Sequence, residues 1–222
     1  MRRRTDALGR YYEHSLAQLP RDAALRSVTA VASVIDSRPC LRVELEDDVT
    51  RAGVPFVDYI DQTTFVVLPI ELKTGRVEVE ILARPNGKTS FDARGFAGIA
   101  YRIDQKDRFE AIYVRTLNGL RTDAAPPRNA RGIQYFAHPD WLFDRLRDQH
   151  PAEYERPADI GPSEWFSLAI ELTEADAIAY INGVECLAVR NPKAPLNTGH
   201  LGLFVDIGTE AYFSNLRVDR RS

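Results

Sequence analysis

Two periodicities divide the chain. Leu8, Tyr12, Leu16 and Leu19 recur at helical spacing, Thr5 or Asp6 can cap the start and Pro20 ends the run, so the spacing predicts one amphipathic helix over residues 6–19. Residues 22–35 read as a helical or irregular continuation. From there the pattern changes to short alternating runs bounded by turn residues, at 40–45, 64–72, 76–83, 96–103, 109–116, 132–136, 166–172, 177–181, 184–189, 200–206 and 212–218. Eleven strands are too many for one open layer of ordinary width, so two sheets are expected.

The clearest turn is Asn182-Gly183, set between Ala177–Ile181 and Val184–Val189. Asn-Gly supplies the positive φ angles of a type I′ turn, so the two runs should pair antiparallel and form a meander with 166–172. A second Asn-Gly, Asn118-Gly119, is followed by a polar stretch containing Pro126-Pro127 and should open a long loop instead. Pro139-Asp140, then Trp141, Leu142, Phe143 and Leu146, then Pro151, predict an inserted helix of about three turns with Asp140 as its N-cap. The expected architecture is an all-β fold, a two-sheet antiparallel β-sandwich over residues 36–222, with an N-terminal helical extension over 1–35 and one short inserted helix.

Composition narrows the function classes. The 222 residues carry 29 Lys and Arg against 32 Asp and Glu, a net charge of −3 that offers no general attraction to nucleic acid or an anionic membrane. Two cysteines, Cys40 and Cys186, make neither a disulfide framework nor a CxxC pair and are expected as reduced thiols. Met1-Arg2-Arg3-Arg4 resembles the start of a signal peptide, but charged residues follow where the apolar run should be, so a cytoplasmic location is expected. No Gly-x-Ser-x-Gly elbow or P-loop occurs, and no cofactor is expected.

Several segments together resemble a known group. Gly95 to Ile103 with Phe109 to Arg115, the turn at Leu117-Asn118-Gly119, the run from Arg128 to Tyr135 with His138-Pro139-Asp140, and the close Gly202 to Leu216 are similar to bacterial proteins of the concanavalin A-like lectin/glucanase superfamily. The ending is similar, more distantly, to the 3-keto-disaccharide hydrolase domain. The resemblance spans about residues 38–218 and implies a jelly roll of two curved sheets whose concave face commonly binds carbohydrate. Glucanases of this kind carry a Glu-x-Asp-x-x-Glu strand, which this chain lacks. Its nearest counterpart, Glu78 and Glu80, reads as the wet face of a strand whose Val77, Val79 and Ile81 enter the core.

Alternation then selects candidate binding residues. Gly98, Ala100 and Arg102 should share one side of their strand and form a groove floor with Tyr113 and Arg115 of the next. A sugar site needs an aromatic face for the ring C–H groups and planar polar groups for the hydroxyls. Arg102, Tyr113, Arg115, Asn118, Arg128, Gln134, Tyr135, His138 and Asp206 are the candidates, with Asn129 and Trp141 nearby. Asp206, Thr209 and Glu210 could offer oxygens to calcium, but form no dense acidic loop, and no metal ligand is assigned. Three functions stay open: a carbohydrate-binding jelly roll, a glycoside hydrolase-like enzyme acting on a sugar or oxidised sugar, and an interaction module whose N-terminal helix joins a partner or a second copy.

Overall fold

A computed structural model describes residues 4–5, 10–89 and 93–221. Among the described residues the strands are β1 (Arg4–Thr5), β2 (Tyr11–His14), β3 (Ala24–Arg26), β4 (Val28–Ile35), β5 (Arg38–Leu45), β6 (Phe65–Leu72), β7 (Gly75–Pro85), β8 (Phe96–Ile103), β9 (Phe109–Arg115), β10 (Ile133–His138), β11 (Glu155–Arg156), β12 (Phe166–Leu172), β13 (Ala177–Ile181), β14 (Val184–Val189), β15 (Gly199–Val205) and β16 (Thr209–Arg220). Two short helices, α1 (Asp47–Ala52) and α2 (Phe143–Gln149), interrupt them. All eleven expected strands are present, and every named pairing is antiparallel.

The strands form two sheets. The first runs β1-β2-β16-β7-β12-β13-β14, with β5 beside the first half of β16 and β4 outside β5. The second runs β11-β10-β9-β8-β15-β6-β3. In β7, Val77, Val79 and Ile81 are fully buried, while Glu78 meets Arg76 at 3.1 Å and Glu80 meets Arg38 at 2.6 Å on the outer surface. Glu78 and Glu80 thus occupy the wet face, as the alternation predicts. Asn182 (φ 49°) and Gly183 (φ 82°) make the expected tight turn between β13 and β14.

The N-terminal reading is overturned. Tyr11–His14 is a strand paired with Leu216 to Asp219, and Leu16 has φ 57°, which no right-handed helix accepts. Leu8 and most of the expected first turn lie outside the described residues. The cause is a vacant edge: β5 covers β16 only at Glu210 to Phe213, and the rest of that edge pairs with β2. A weak helical preference yields to ladder hydrogen bonds and burial of Leu16. Residues 22–35 are likewise strands, β3 paired with β6 and β4 with β5. The β4–β5 turn uses Asp36 (φ 51°) and Ser37 (φ 62°), a hairpin geometry formed without the glycine that would have announced it. No N-terminal helix therefore remains in the described residues to carry the expected contact with a second copy.

The inserted helix is shorter than expected. Ala137 and Trp141 exchange backbone hydrogen bonds, which holds 138–140 as a loop and delays α2 to Phe143, with Leu142 rather than Asp140 at its N-cap.

Candidate functional site

The two faces of the second sheet have different fates. Register places Phe65, Phe204, Gly98, Tyr113 and Gln134 in one row, with Ala100, Ala111 and Phe136 alongside. The other face carries Ile99, Ile112, Tyr135 and Glu110. Arg102 joins Glu110 at 2.9 Å and donates to the carbonyls of Lys73 and Thr173, at the ends of β6 and β12, so this second face looks toward the first sheet.

The small residues expected to floor an open groove are overlain by an aromatic layer. Phe65, Phe109, Phe136, Tyr113 and Phe204 meet edge-to-face or tilted at centroid separations of 4.9 to 5.7 Å. Each such contact is worth roughly 0.5–1.5 kcal/mol beyond area burial. Gly98 makes room for the rings: a Cβ there would fall 2.2 Å from the Ile112 carbonyl oxygen and 2.7 Å from Tyr113 Cβ. The segment from Val54 to Gln62 and helix α2 close over this layer, tied together by the Phe143 N–H donating to Asp61 Oδ2 at 2.7 Å.

At one end of the layer a cavity of about 360 Å³ stays open. Its wall holds Ile60, Asp61, Arg94, Phe96, Tyr113, Arg115, Arg131, Phe143, Arg147, Asp206 and Ile207. The exposed ring of Phe56 stacks on Phe143 at 6.0 Å. The Asp206 carboxylate accepts backbone N–H bonds from Ile60 (3.0 Å), Asp61 (3.0 Å) and Ile207 (2.6 Å). These bonds hold Ile60 (φ 67°) and Asp61 (φ 57°) in the left-handed region, which is costly for a β-branched residue.

Arg115 is buried in the floor of this cavity. Its Nη2 donates to the Tyr113 hydroxyl at 2.7 Å and to Gln134 Oε1, and its Nη1 donates to the Arg131 carbonyl at 3.4 Å. Its nearest ion-pair carboxylate, Glu155, is 3.8 Å away and also bonds Arg131 (3.1 Å) and Arg147 (2.8 Å). Three guanidinium groups therefore share one carboxylate. Burial, with the Arg147 charge next, pushes Arg131 below the usual arginine range. Asp61 is fully buried and its Oδ1 has no hydrogen-bond partner. Burial first, and the Asp206 charge second, push its pKa up to about 7; the Phe143 N–H, Arg115 and Tyr113 act in the opposite sense. Burial also raises Asp206, against its three N–H bonds and Arg115.

The nine predicted residues are thus divided. Tyr113, Arg115 and Asp206 line the cavity, and Gln134 holds Arg115 from beneath. Arg102 does not share their groove. Its φ of 55° interrupts the alternation of β8 and turns the side chain to the inter-sheet side with Glu110. Tyr135 belongs to that buried network, donating to Glu110 Oε1 and accepting from the Lys193 N–H, both at 2.7 Å. Asn118 is buried in a 3-10 turn, its Nδ2 donating to the Arg131 carbonyl. Arg128 is exposed on another such turn. His138 stacks on Phe109 at 5.1 Å, contacts the Asp107 carbonyl through Nδ1, and lines a separate cavity of about 190 Å³ with Trp141 and Lys193; burial lowers its pKa. Glu210 is held by Arg84 (2.6 Å) and Arg42 (3.0 Å) and Thr209 accepts from the Phe96 N–H, so Asp206, Thr209 and Glu210 do not turn to one centre. Both cysteines are free thiols.

Asp61, Arg94, Arg131, Phe143 and Arg147 were not singled out by sequence reasoning. None lies in a motif, and Asp61 reaches the site from an irregular segment whose path Asp206 dictates, a contact 145 residues distant in sequence.

Solved structures share this architecture. The carbohydrate-binding module CBM66 from Bacillus subtilis superposes with a TM-score of 0.54 at 12% identity, covering 87% of this chain and 96% of that one. The Bacillus licheniformis beta-glucanase gives 0.54 at 11%, covering 96% and 99%, and a putative glycosyl hydrolase from Parabacteroides distasonis gives 0.52 at 12%, covering 94% and 99%. The fold is the two-sheet antiparallel β-sandwich that these solved structures share. Residues 60–219 match the 3-keto-alpha-glucoside-1,2-lyase-like domain, the 3-keto-disaccharide hydrolase family, and the chain belongs to that family. No curated protein matches the sequence.

Proposed function

We propose that this protein binds a saccharide in the Arg115 cavity. The observation that carries this reading is the lining itself: the Phe96 and Phe143 rings stand beside buried guanidinium and carboxyl groups in one hollow of about 360 Å³. That volume falls in the range of small-molecule sites, about 300–1,000 Å³, and the mixture suits a ring with an apolar C–H side and a polar rim. The carbohydrate-binding and glycanase relatives of the fold support the ligand class. Titration calorimetry with mono- and disaccharides tests it. Binding that Phe143→Ala and Arg115→Met each weaken at least tenfold is expected, and saccharide binding indifferent to both variants overturns the site.

A second reading, catalysis, is favoured by Asp61. A carboxyl that titrates near 7 is poised to accept and return protons at neutral pH. The family description names a 1,2-lyase acting on a 3-keto-glucoside. In such an elimination a base takes the C2 proton, acidified by the C3 ketone, as C1–C2 becomes a double bond and the C1–O bond breaks; the leaving oxygen then receives a proton. Asp61 suits the base. Turnover of 3-keto-glucosides that Asp61→Asn lowers at least a hundredfold, with ligand affinity kept within threefold, supports the catalytic reading. Undiminished turnover removes Asp61 from it.

A further inference from the structure

We infer, resting on the saccharide reading above, that the ligand is a glycoside with an aromatic aglycone: the sugar enters the cavity and the aglycone lies at its mouth, on a lip made by Val54, Phe56 and Val57. These side chains are 53%, 44% and 67% exposed, and Phe56 is the one exposed aromatic side chain among the described residues. A single exposed apolar residue is ordinary, whereas three within four consecutive positions beside a cavity mark a contact surface. The lip is continuous with the cavity. Phe56 stacks on Phe143 at 6.0 Å, the two rings 20° from parallel, and Phe143 belongs to the cavity wall with Ile60, Phe96 and Ile207. An aglycone ring extends this stack outward from the sugar.

The backbone holds the lip outward against its own preference. Phe56 has φ 63°, a conformation that bulky side chains rarely adopt. Its N–H donates to the Tyr59 carbonyl at 2.8 Å, the Val57 and Asp58 N–H groups donate to the Val54 carbonyl at 3.1 and 2.9 Å, and Asp58 Oδ2 accepts the Val54 N–H at 2.8 Å. The polar groups of this turn bond one another, and methyl groups and a ring are what it presents to solvent. Backbone strain and apolar exposure both disfavour the free protein, and a bound apolar group relieves the second. A second sugar ring would set its hydroxyls against methyl groups, while the one carboxylate of the turn, Asp58, is engaged within it. An aromatic group has no such hydroxyls to leave unpaired.

The test compares ligands that differ only in the aglycone. Calorimetric titration of the full chain with methyl and phenyl D-glucosides, in both anomers, is expected to favour phenyl over methyl by about fivefold or more in one anomer, the size of one aromatic contact. The quantity read is the ratio of the two affinities. Phe56→Ser should bring that ratio below about twofold, and Val57→Ser, which should lower it in the same direction, serves if Phe56→Ser fails to fold. Val184→Ser, an exposed apolar change at the β13–β14 turn, should leave the ratio at its wild-type value. Equal affinity for methyl and phenyl glucosides, a ratio that survives Phe56→Ser or Val57→Ser, or cellobiose binding as tightly as the phenyl glucoside overturns the aglycone inference and leaves the saccharide reading standing. No binding of any glucoside, or phenol binding as tightly as the phenyl glucoside, overturns both.

Discussion

Two buried arginines on one sheet, Arg102 and Arg115, show how the same side chain serves structure in one place and forms a site in another. Their exposures are 3% and 4%, so burial does not distinguish them. Arg102 faces the first sheet, holds Glu110 at 2.9 Å through Nη1 and donates from Nη2 to the Lys73 and Thr173 carbonyls, while Tyr135 donates to the other carboxylate oxygen. Arg115 faces the outer side, where its close partners are the neutral Tyr113 and Gln134 and its carboxylate is shared with Arg131 and Arg147. A buried charge with a private counter-ion has its charge already answered, although Arg102 and Glu110 also line the smaller cavity beside His138. One with a shared counter-ion beside an open cavity retains capacity for a ligand.

The largest effect should come from breaking the private pair. Glu110→Gln leaves Arg102 buried without its counter-ion and should destabilise the fold by about 3–5 kcal/mol, read by urea unfolding. A loss below 1 kcal/mol would mean that water or the carbonyls suffice for Arg102.

Asp61 sharpens the contrast from the other side. Its native pKa of about 7 lies above the usual aspartate value near 4, so the folded state holds this proton more tightly than the unfolded chain. The associated stability is complete below about pH 4 and is lost as pH rises toward about 7. Asp206, whose pKa is also raised, adds in the same direction, while Arg115, Tyr113 and the Phe143 N–H oppose it. Asp61→Asn should therefore unfold later than the wild type at pH 8, by roughly 2–4 kcal/mol, with the gap closing near pH 4. A variant equally destabilised at both pH values would show that Asp61 serves packing alone.

Arg115→Met should cost less, about 1–2 kcal/mol, because Tyr113 and Gln134 lose a donor but no private counter-ion is stranded. Its main effect should be the tenfold loss of saccharide affinity. Glu80→Gln should have the smallest effect, within about 1 kcal/mol and without change in binding, since its ion pair with Arg38 is a partly exposed contact of the outer surface. A loss of saccharide binding in this variant would move the site to the opposite sheet.

The alternation of β7, β8, β9 and β12 to β16 was legible because period-two patterning and Asn182-Gly183 are local signals. The candidate site was legible only where it rests on those strands. Tyr113 and Arg115 could be placed from alternation, whereas Arg102 was placed on the wrong face because one left-handed residue reverses the alternation. The N-terminal strands were missed for a related reason: β2 to β4 are defined by the edges they occupy, and the Asp36-Ser37 turn carries no glycine.

By itself the sequence determined the class of fold, the order of eleven strands and the polar outer surface of Glu78 and Glu80, since each follows from neighbours a few residues apart. Tertiary structure decided that aromatic rings cover most of the expected groove floor and leave a cavity at one end, that Asp61 meets Asp206, and that three arginines share Glu155. Those contacts join residues far apart in the chain, and the energy of burying a charge depends on the partners that folding brings to it.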